Sequence, residues 1–520
     1  MTEHCASPAH KEASSAEGVA HDAPAAPEHP SAQNPDPGRI YISEVQRHQA
    51  RYRKLIQFTS SSTKAAGAML LAAIAALVVA NSPVSDAFSH FWHTDVGFVF
   101  GQAQATMPLS HVINDVLMAV FFLLVGLEIK YEMTVGELTD VRQAILPVAA
   151  AIGGVLMPVG IYLLFNASNP ETVMGWGVPT ATDIAFALGI LALLGSRVPA
   201  GLRVFLSTLA VADDIVAILV IAIFYGQSPS LMWLAAAAAV LVVLVVLNRT
   251  HVYSLVPYLL VGAVLWYCIF MSGVHSTIAG VLLAFAIPSR SHVKLKSFAS
   301  WSGQRVKEAE ESYVPDEPVI GQTDYLASVT RLARVSRQVV PPATRLERRL
   351  YPWVYFAILP LFALTNADVA FMEVPAGDIL SSPIFLGVFF GLVIGKPAGI
   401  MLMSFVIVKT KLATLPENVN WSHMLGAALL GGVGFTMSIF VANLAFADAA
   451  YVMAAKVAIL AASLVAGVLG FTFLFFQAKA ATRRGQRFEM ELPSADNRQS
   501  HAAHEAERRY KRELIQDENE

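Results

Sequence analysis

Between Asp214 and Arg249, and again between Arg249 and Arg290, the chain carries no Asp, Glu, Lys or Arg. Each interval holds two hydrocarbon spans of about 20 residues. Backbone groups in lipid must pair internally, so aperiodic apolar runs of this length fold as helices and not as a barrel. Twelve such runs lie near residues 63–81, 112–128, 145–165, 176–194, 203–224, 231–247, 255–271, 275–288, 352–366, 383–408, 423–446 and 453–476; the eighth is the shortest. The expected fold class is an all-α polytopic membrane protein. Charged residues make up only 14% of the 520 residues, against about 25% in a soluble domain. The net charge of −3 offers no basic field for nucleic acid. Cys5 and Cys268 supply neither a disulfide framework nor a thiolate zinc site.

The 36 Lys and Arg residues fix the expected topology. Segments rich in them alternate strictly with segments that have none. Seven occur up to Lys64, none in 82–111, then Lys130 and Arg142, and none near Asn169. Arg197 and Arg203 follow, then none near Gln227, Arg249, and none near Ser272. Eleven lie in 289–351, none near Asp368, then Lys409 and Lys411, none near Asp448, and nine in the C-terminal tail. By the positive-inside rule this places both termini in the cytoplasm. Residues 1–57 read as a largely disordered cytoplasmic tail, 58–480 as the membrane domain with a long cytoplasmic connection at 289–350, and 481–520 as a charged cytoplasmic tail. The outer loop 96–106 alternates partially and has two glycines, which suggests a short hairpin.

A few charges remain inside apolar runs: Asp115, Asp183, Asp213, Asp214 and Lys396, with Lys456 near an outer edge where a lysine can snorkel. Buried charges are costly and normally face a cavity, a partner or an ion path. Asp115 also suits a helix start. Asp213 and Asp214 point about 100° apart on a helix, so one can meet Lys396 while the other faces a cavity with Asp183. Oxygen ligands without a Cys or His cluster suit a hard cation. Burial and repulsion between carboxylates favour the neutral acid, so the same oxygens can hold a proton or a metal ion. Two spans also look broken, at Val178-Pro179-Thr180-Ala181-Thr182-Asp183 and at Gly431-Gly432-Val433-Gly434. Paired interruptions of this kind point to a transport site at mid-membrane.

The blocks Asn114-Asp115 through Gly126-Leu127-Glu128, Ala181-Thr182-Asp183-Ile184-Ala185-Phe186-Ala187-Leu188-Gly189, Asp213-Asp214, Ser272-Gly273-Val274-His275, Gly395-Lys396-Pro397 and Gly434-Phe435-Thr436-Met437-Ser438-Ile439-Phe440 resemble, in order, the NhaA family of bacterial sodium/proton antiporters. The resemblance covers about residues 58–480. It implies twelve helices with inverted repeats at spans 3–5 and 10–12 and discontinuous helices 4 and 11, an architecture for which this family is itself a standard example. It further implies that Asp183 and Asp214 bind Na+ or Li+ with Thr182 nearby, and that Asp213 pairs with Lys396, which offsets helix-end dipoles. Glu128, Glu132 and His275 match positions tied to pH response, and hairpin 96–106 matches a homodimer contact. The implied activity is electrogenic, pH-regulated exchange of Na+ or Li+ for more than one H+ in the bacterial inner membrane, without a cofactor. The N-terminal extension, the 289–350 connection and Tyr131, where a basic residue is common, depart from the family pattern. A sodium-coupled symporter and a cation channel are the alternatives. An intramembrane aspartyl protease lacks its Gly-x-Gly-Asp context here.

Overall fold

The computed structural model describes residues 61–100, 103–226, 229–291, 293–369 and 376–483. The tail expected at 1–57, the tail expected at 481–520 beyond its first three residues, and the turn 101–102 lie outside the described residues. Every one of the twelve apolar runs coincides with helix. Seven are long and apolar enough to cross a bilayer unaided: Ser62–Ala80, Leu109–Thr134, Val141–Asn166, Ala200–Phe224, Leu231–Arg249, Pro383–Lys409 and Ala449–Ala480. Two more are bent pairs, Pro170–Thr180 with Ile184–Leu193 at 41° and Trp421–Gly431 with Phe435–Ala445 at 44°. These are the fourth and eleventh spans. The seventh, Leu255–Met271, has 17 residues and the eighth, Ile278–Ala286, only 9. The ninth runs from Pro342–Trp353 through a π-helical turn, Val354–Ile358, into Leu359–Asn366. The protein is an all-α polytopic membrane protein.

Two triples of spans, three to five and ten to twelve, each have the broken helix in the middle. Spans three and ten pack backbone to backbone. A Cβ on Gly153 would lie 2.3 Å from the Gly399 carbonyl oxygen, and one on Gly399 would lie 2.0 Å from that of Gly153. Only glycine permits so close a crossing. Spans two and eight form a second close pair, in which the Lys130 ammonium donates to the carbonyls of Phe285 (2.8 Å) and Ile287. These are orphan acceptors at a helix C-terminus, where a cation is favoured. The short eighth helix is thereby capped from its neighbour.

The loop between spans one and two forms the expected hairpin, with Asp95–Phe100 antiparallel to Ala103–Pro108 and Asp95 opposite Pro108. The long connection after span eight is ordered helix. Leu295–Ser312 and Thr323–Val339 pack on one another, with Tyr313 against Tyr325 at the tip (ring centroids 5.3 Å apart). Its foot is pinned by Ser291 Oγ donating to the Gln338 carbonyl (3.2 Å) and Ala343 N–H to that of Pro288 (3.1 Å).

Candidate ion site at the crossing of two broken spans

In span four, a 3₁₀ segment, Met174–Thr180, ends at Ala181-Thr182-Asp183, and α-helix resumes at Ile184. Pro179 cannot donate to a helical ladder, and Asp183 takes the N-cap position of the second half, accepting from Phe186 N–H at 3.0 Å. In span eleven the break is Gly432-Val433-Gly434, before Phe435–Ala445. The two breaks meet. Asp183 N–H donates to the Val433 carbonyl (2.8 Å), and Asp183 Oδ2 accepts from Thr436 Oγ1 (2.6 Å) and Thr436 N–H (3.1 Å). Backbone freed by each interruption is therefore partly satisfied by the other, as irregular backbone within a membrane requires.

Span five brings Asp213 and Asp214 to this crossing, 1% and 2% exposed. Lys396, wholly buried, follows a π-helical turn at Gly391–Gly395 in span ten. Its ammonium pairs with Asp213 Oδ2 at 2.8 Å and also donates to the Thr180 carbonyl, at the end of the 3₁₀ segment. Lys396 thus carries positive charge to the C-terminal end of a half-helix. Thr182 Oγ1 lies 2.6 Å from Asp213 Oδ2 and 2.9 Å from the Gly431 carbonyl. A hydroxyl has one proton to donate, so Thr182 chooses between these acceptors. Asp213 Oδ1 and Asp214 Oδ1 are buried and receive no hydrogen bond from the described residues. Asp214 lies within electrostatic reach of Asp213, Glu128, Asp183 and Lys396.

The structure thus brings together Asp183, Thr182, Asp213, Asp214 and Lys396, with half-buried Glu128 within electrostatic reach of Asp214. Glu132 turns to the loop beyond span two, where its Oε2 accepts from Glu137 N–H (3.1 Å). His275 stands elsewhere, its Nε2 at the Tyr225 carbonyl after span five. Asp115 is also apart from the site, beside Ser276 Oγ (3.3 Å) and His111 (3.7 Å). Lys456, which the sequence alone leaves free to snorkel, makes an ion pair with Asp368 at 2.8 Å. Thr436 is the contact that sequence reasoning passed over. Its signal was its position two residues after the glycine-rich break, facing whatever the other break presents.

The model of the family described as Na+/H+ antiporter 1 matches residues 56–474. The chain belongs to this family. Among its relatives, the Na(+)/H(+) antiporter NhaA of Wolinella succinogenes is 42% identical over 429 residues, covering 82% of this chain and 93% of the relative. That of Oleidesulfovibrio alaskensis is 45% identical over 426 residues, with 82% and 93% covered. That of Helicobacter pylori is 45% identical over 418 residues, with 79% and 93% covered. In this antiporter-family chain the matched segment contains both broken spans and all four buried aspartate and lysine side chains of the crossing. Residues 1–55 and 475–520 fall outside it.

Proposed function

We propose that this protein is a secondary transporter of the bacterial inner membrane that exports Na+, and also Li+, in exchange for more than one proton. Family membership supports the Na+/H+ antiport itself. The observation that carries the mechanism is the convergence of Asp183, Asp213 and Asp214 on the crossing of two broken helices, with Lys396 as their buried counter-charge. Asp183 and Asp214 are the cation ligands in this reading, and Thr182 and Asp213 line the same site. A small hard cation fits carboxylate oxygens.

Protons and cation compete for the same oxygens, so binding one expels the other. If Asp183 and Asp214 each release a proton as one Na+ binds, each cycle moves net charge. Exchange is then driven by membrane potential as well as by the pH gradient. Asp213, which protonates when its pair with Lys396 breaks, is the competing carrier of the second proton. Access alternates by rocking of one helix bundle against the other. Both termini and the 289–350 hairpin are cytoplasmic in this reading. Glu128 sits on the cytoplasmic approach, where its charge, with Glu132, makes the site responsive to pH; His275 acts from the far side through Tyr225. Two copies associate through hairpin 96–106, whose strands leave open backbone edges.

Everted vesicles with an acidified lumen test the reading. Added Na+ or Li+ is expected to alkalinise the lumen, and Asp214→Asn to abolish the response while the protein still inserts. Acidification or no proton movement on Na+ addition would instead indicate symport or a channel. Clamping the membrane potential with valinomycin and K+ is expected to change the exchange rate; an unchanged rate would remove the electrogenic element.

A further inference from the structure

We propose that an amide cluster centred on Asn366 is a latch that holds the outer end of the ion pathway closed, and that it must open in every transport cycle. The inference rests on the antiport reading for its sense of outside and inside.

The second half of span eleven, Phe435–Ala445, carries three contacts on a single face. Thr436, Phe440 and Asn443 stand at positions i, i+4 and i+7, which share one side of a helix. Thr436 holds Asp183. Phe440, a turn further out, packs against Phe122 of span two and Phe362 of span nine, with ring centroids 5.6 Å and 6.3 Å apart. Asn443, about 10 Å from Thr436 along the axis, donates to Asn366 Oδ1 at 2.7 Å. One helix face therefore presents, in order, a contact to an ion-site carboxylate, an aromatic seal and an amide pair.

Asn366 is 4% exposed and uses its full hydrogen-bonding capacity. Its Oδ1 accepts from Asn443 and from Asn114 Nδ2 (3.2 Å), and its Nδ2 donates to Asn114 Oδ1 (2.8 Å) and to the Phe362 carbonyl (3.0 Å). An amide has two donors and an oxygen with two lone pairs. Asn114 lies in the π-helical turn Val112–Leu117 of span two, which re-aims side chains locally. The Asn443–Asn366 bond crosses from the bundle of repeats to spans two and nine. Two residues beyond Asn366, Asp368 makes the second crossing, to Lys456 of span twelve at 2.8 Å. The Val369 carbonyl accepts from Asn81 Nδ2 at the end of span one (2.6 Å), tying this loop to the non-repeat side.

Rocking of one bundle against the other cannot occur with these bonds made. They are also exchangeable for water at little net cost, as a latch requires and a permanent tie does not. When a cation draws Asp183 away from Thr436, the same helix is freed at its inner end. Asn366, Asn443 and Asn114 are in this sense positioning residues, acting on the ion site through span eleven.

The test is side-specific. Half-saturating Na+ is measured in right-side-out and in everted vesicles for the wild type, Asn443→Ala and Asn114→Ala. The latch predicts that the ratio of apparent affinities shifts towards the outer face by about three- to tenfold, the equivalent of one or two lost buried hydrogen bonds. A merely structural role lowers the maximal rate and leaves the ratio alone. A ratio unchanged within about twofold overturns the proposal. Asn443→Ala keeps the reciprocal Asn114–Asn366 pair, so it is the variant to use if Asn366→Ala does not fold. A second readout needs no transport. Spin labels at Asp86→Cys and Ala449→Cys, with Cys5→Ser and Cys268→Ser, report the outer separation of the two bundles. Asn443→Ala is expected to add a longer-distance population; an unchanged distribution overturns the latch. Absence of Na+-driven proton movement in the wild type would sink the antiport reading, while the label distances would still decide the latch.

Discussion

Lys396 and Asp213, each with a fully buried side chain and 2.8 Å apart, form the residue-level centre of the molecule. Removing one partner of such a pair strands a charge in low dielectric and costs about 3–5 kcal/mol, whereas replacing both with uncharged groups is often nearly neutral. Asp213→Asn is therefore expected to lower the thermal unfolding midpoint in detergent well below that of Asp213→Asn combined with Lys396→Met. Thr436→Val, which keeps volume but deletes the hydroxyl donated to Asp183, is expected to change half-saturating Na+ by about three- to tenfold. Vesicle titration checks it. The buried charges were legible in the sequence because an apolar run makes any exception visible. The partner of Lys396 was not legible from spacing, since adjacent acids point about 100° apart and nothing in the residues says which faces span ten. Thr436 and the asparagines were harder still: uncharged polar groups leave no trace in hydropathy, and their meaning comes from contacts 77 to 253 residues away in the chain.

At the scale of elements, glycine and proline carried most of what could be read. Pro179 and the Gly431–Gly434 run marked both broken spans, which bend by 41° and 44°. The π-helical turns at Val112–Leu117, Val354–Ile358 and Gly391–Gly395 had no such marker, because one inserted residue alters the hydrogen-bond ladder without altering composition. The crossing of spans three and ten gives a sharp prediction. A side chain on Gly399 would collide with the Gly153 backbone, and backbone cannot yield as a rotamer can. Gly399→Val is expected to abolish folded, monodisperse protein on size-exclusion chromatography, whereas Gly67→Val, where a Cβ meets nothing within 4 Å, is expected to be tolerated. Lys130 caps span eight through Phe285 and Ile287. Lys130→Met is expected to cost about 1.5–3 kcal/mol and to speed hydrogen exchange near residues 284–288.

For the whole molecule, the placement of the Lys and Arg residues already implied an even number of passages, and helix occupies every predicted run. What composition could not tell was that 289–350 is structured: its mixed charges and scattered apolar residues read as a solvated connection. The two helices pack on one another, with Tyr313 against Tyr325. Replacing residues 295–339 with a short Gly/Ser linker is expected to leave Na+-driven proton movement within about twofold of the wild type, because Asp183, Asp213, Asp214 and Lys396 all lie in spans outside the hairpin; a loss beyond tenfold would give the hairpin a part in transport.

The pinned foot of that hairpin has a consequence for how such a chain can lengthen. Ser291 and Gln338 are joined by a hydrogen bond, so the excursion departs and returns at one point, whatever its length. Closing a longer loop costs little more than closing a short one. A pair of antiparallel helices also hands the chain back on the side from which it left. Parity is conserved: material can be gained at this junction, or a reporter domain spliced into the tip, without turning any later helix upside down.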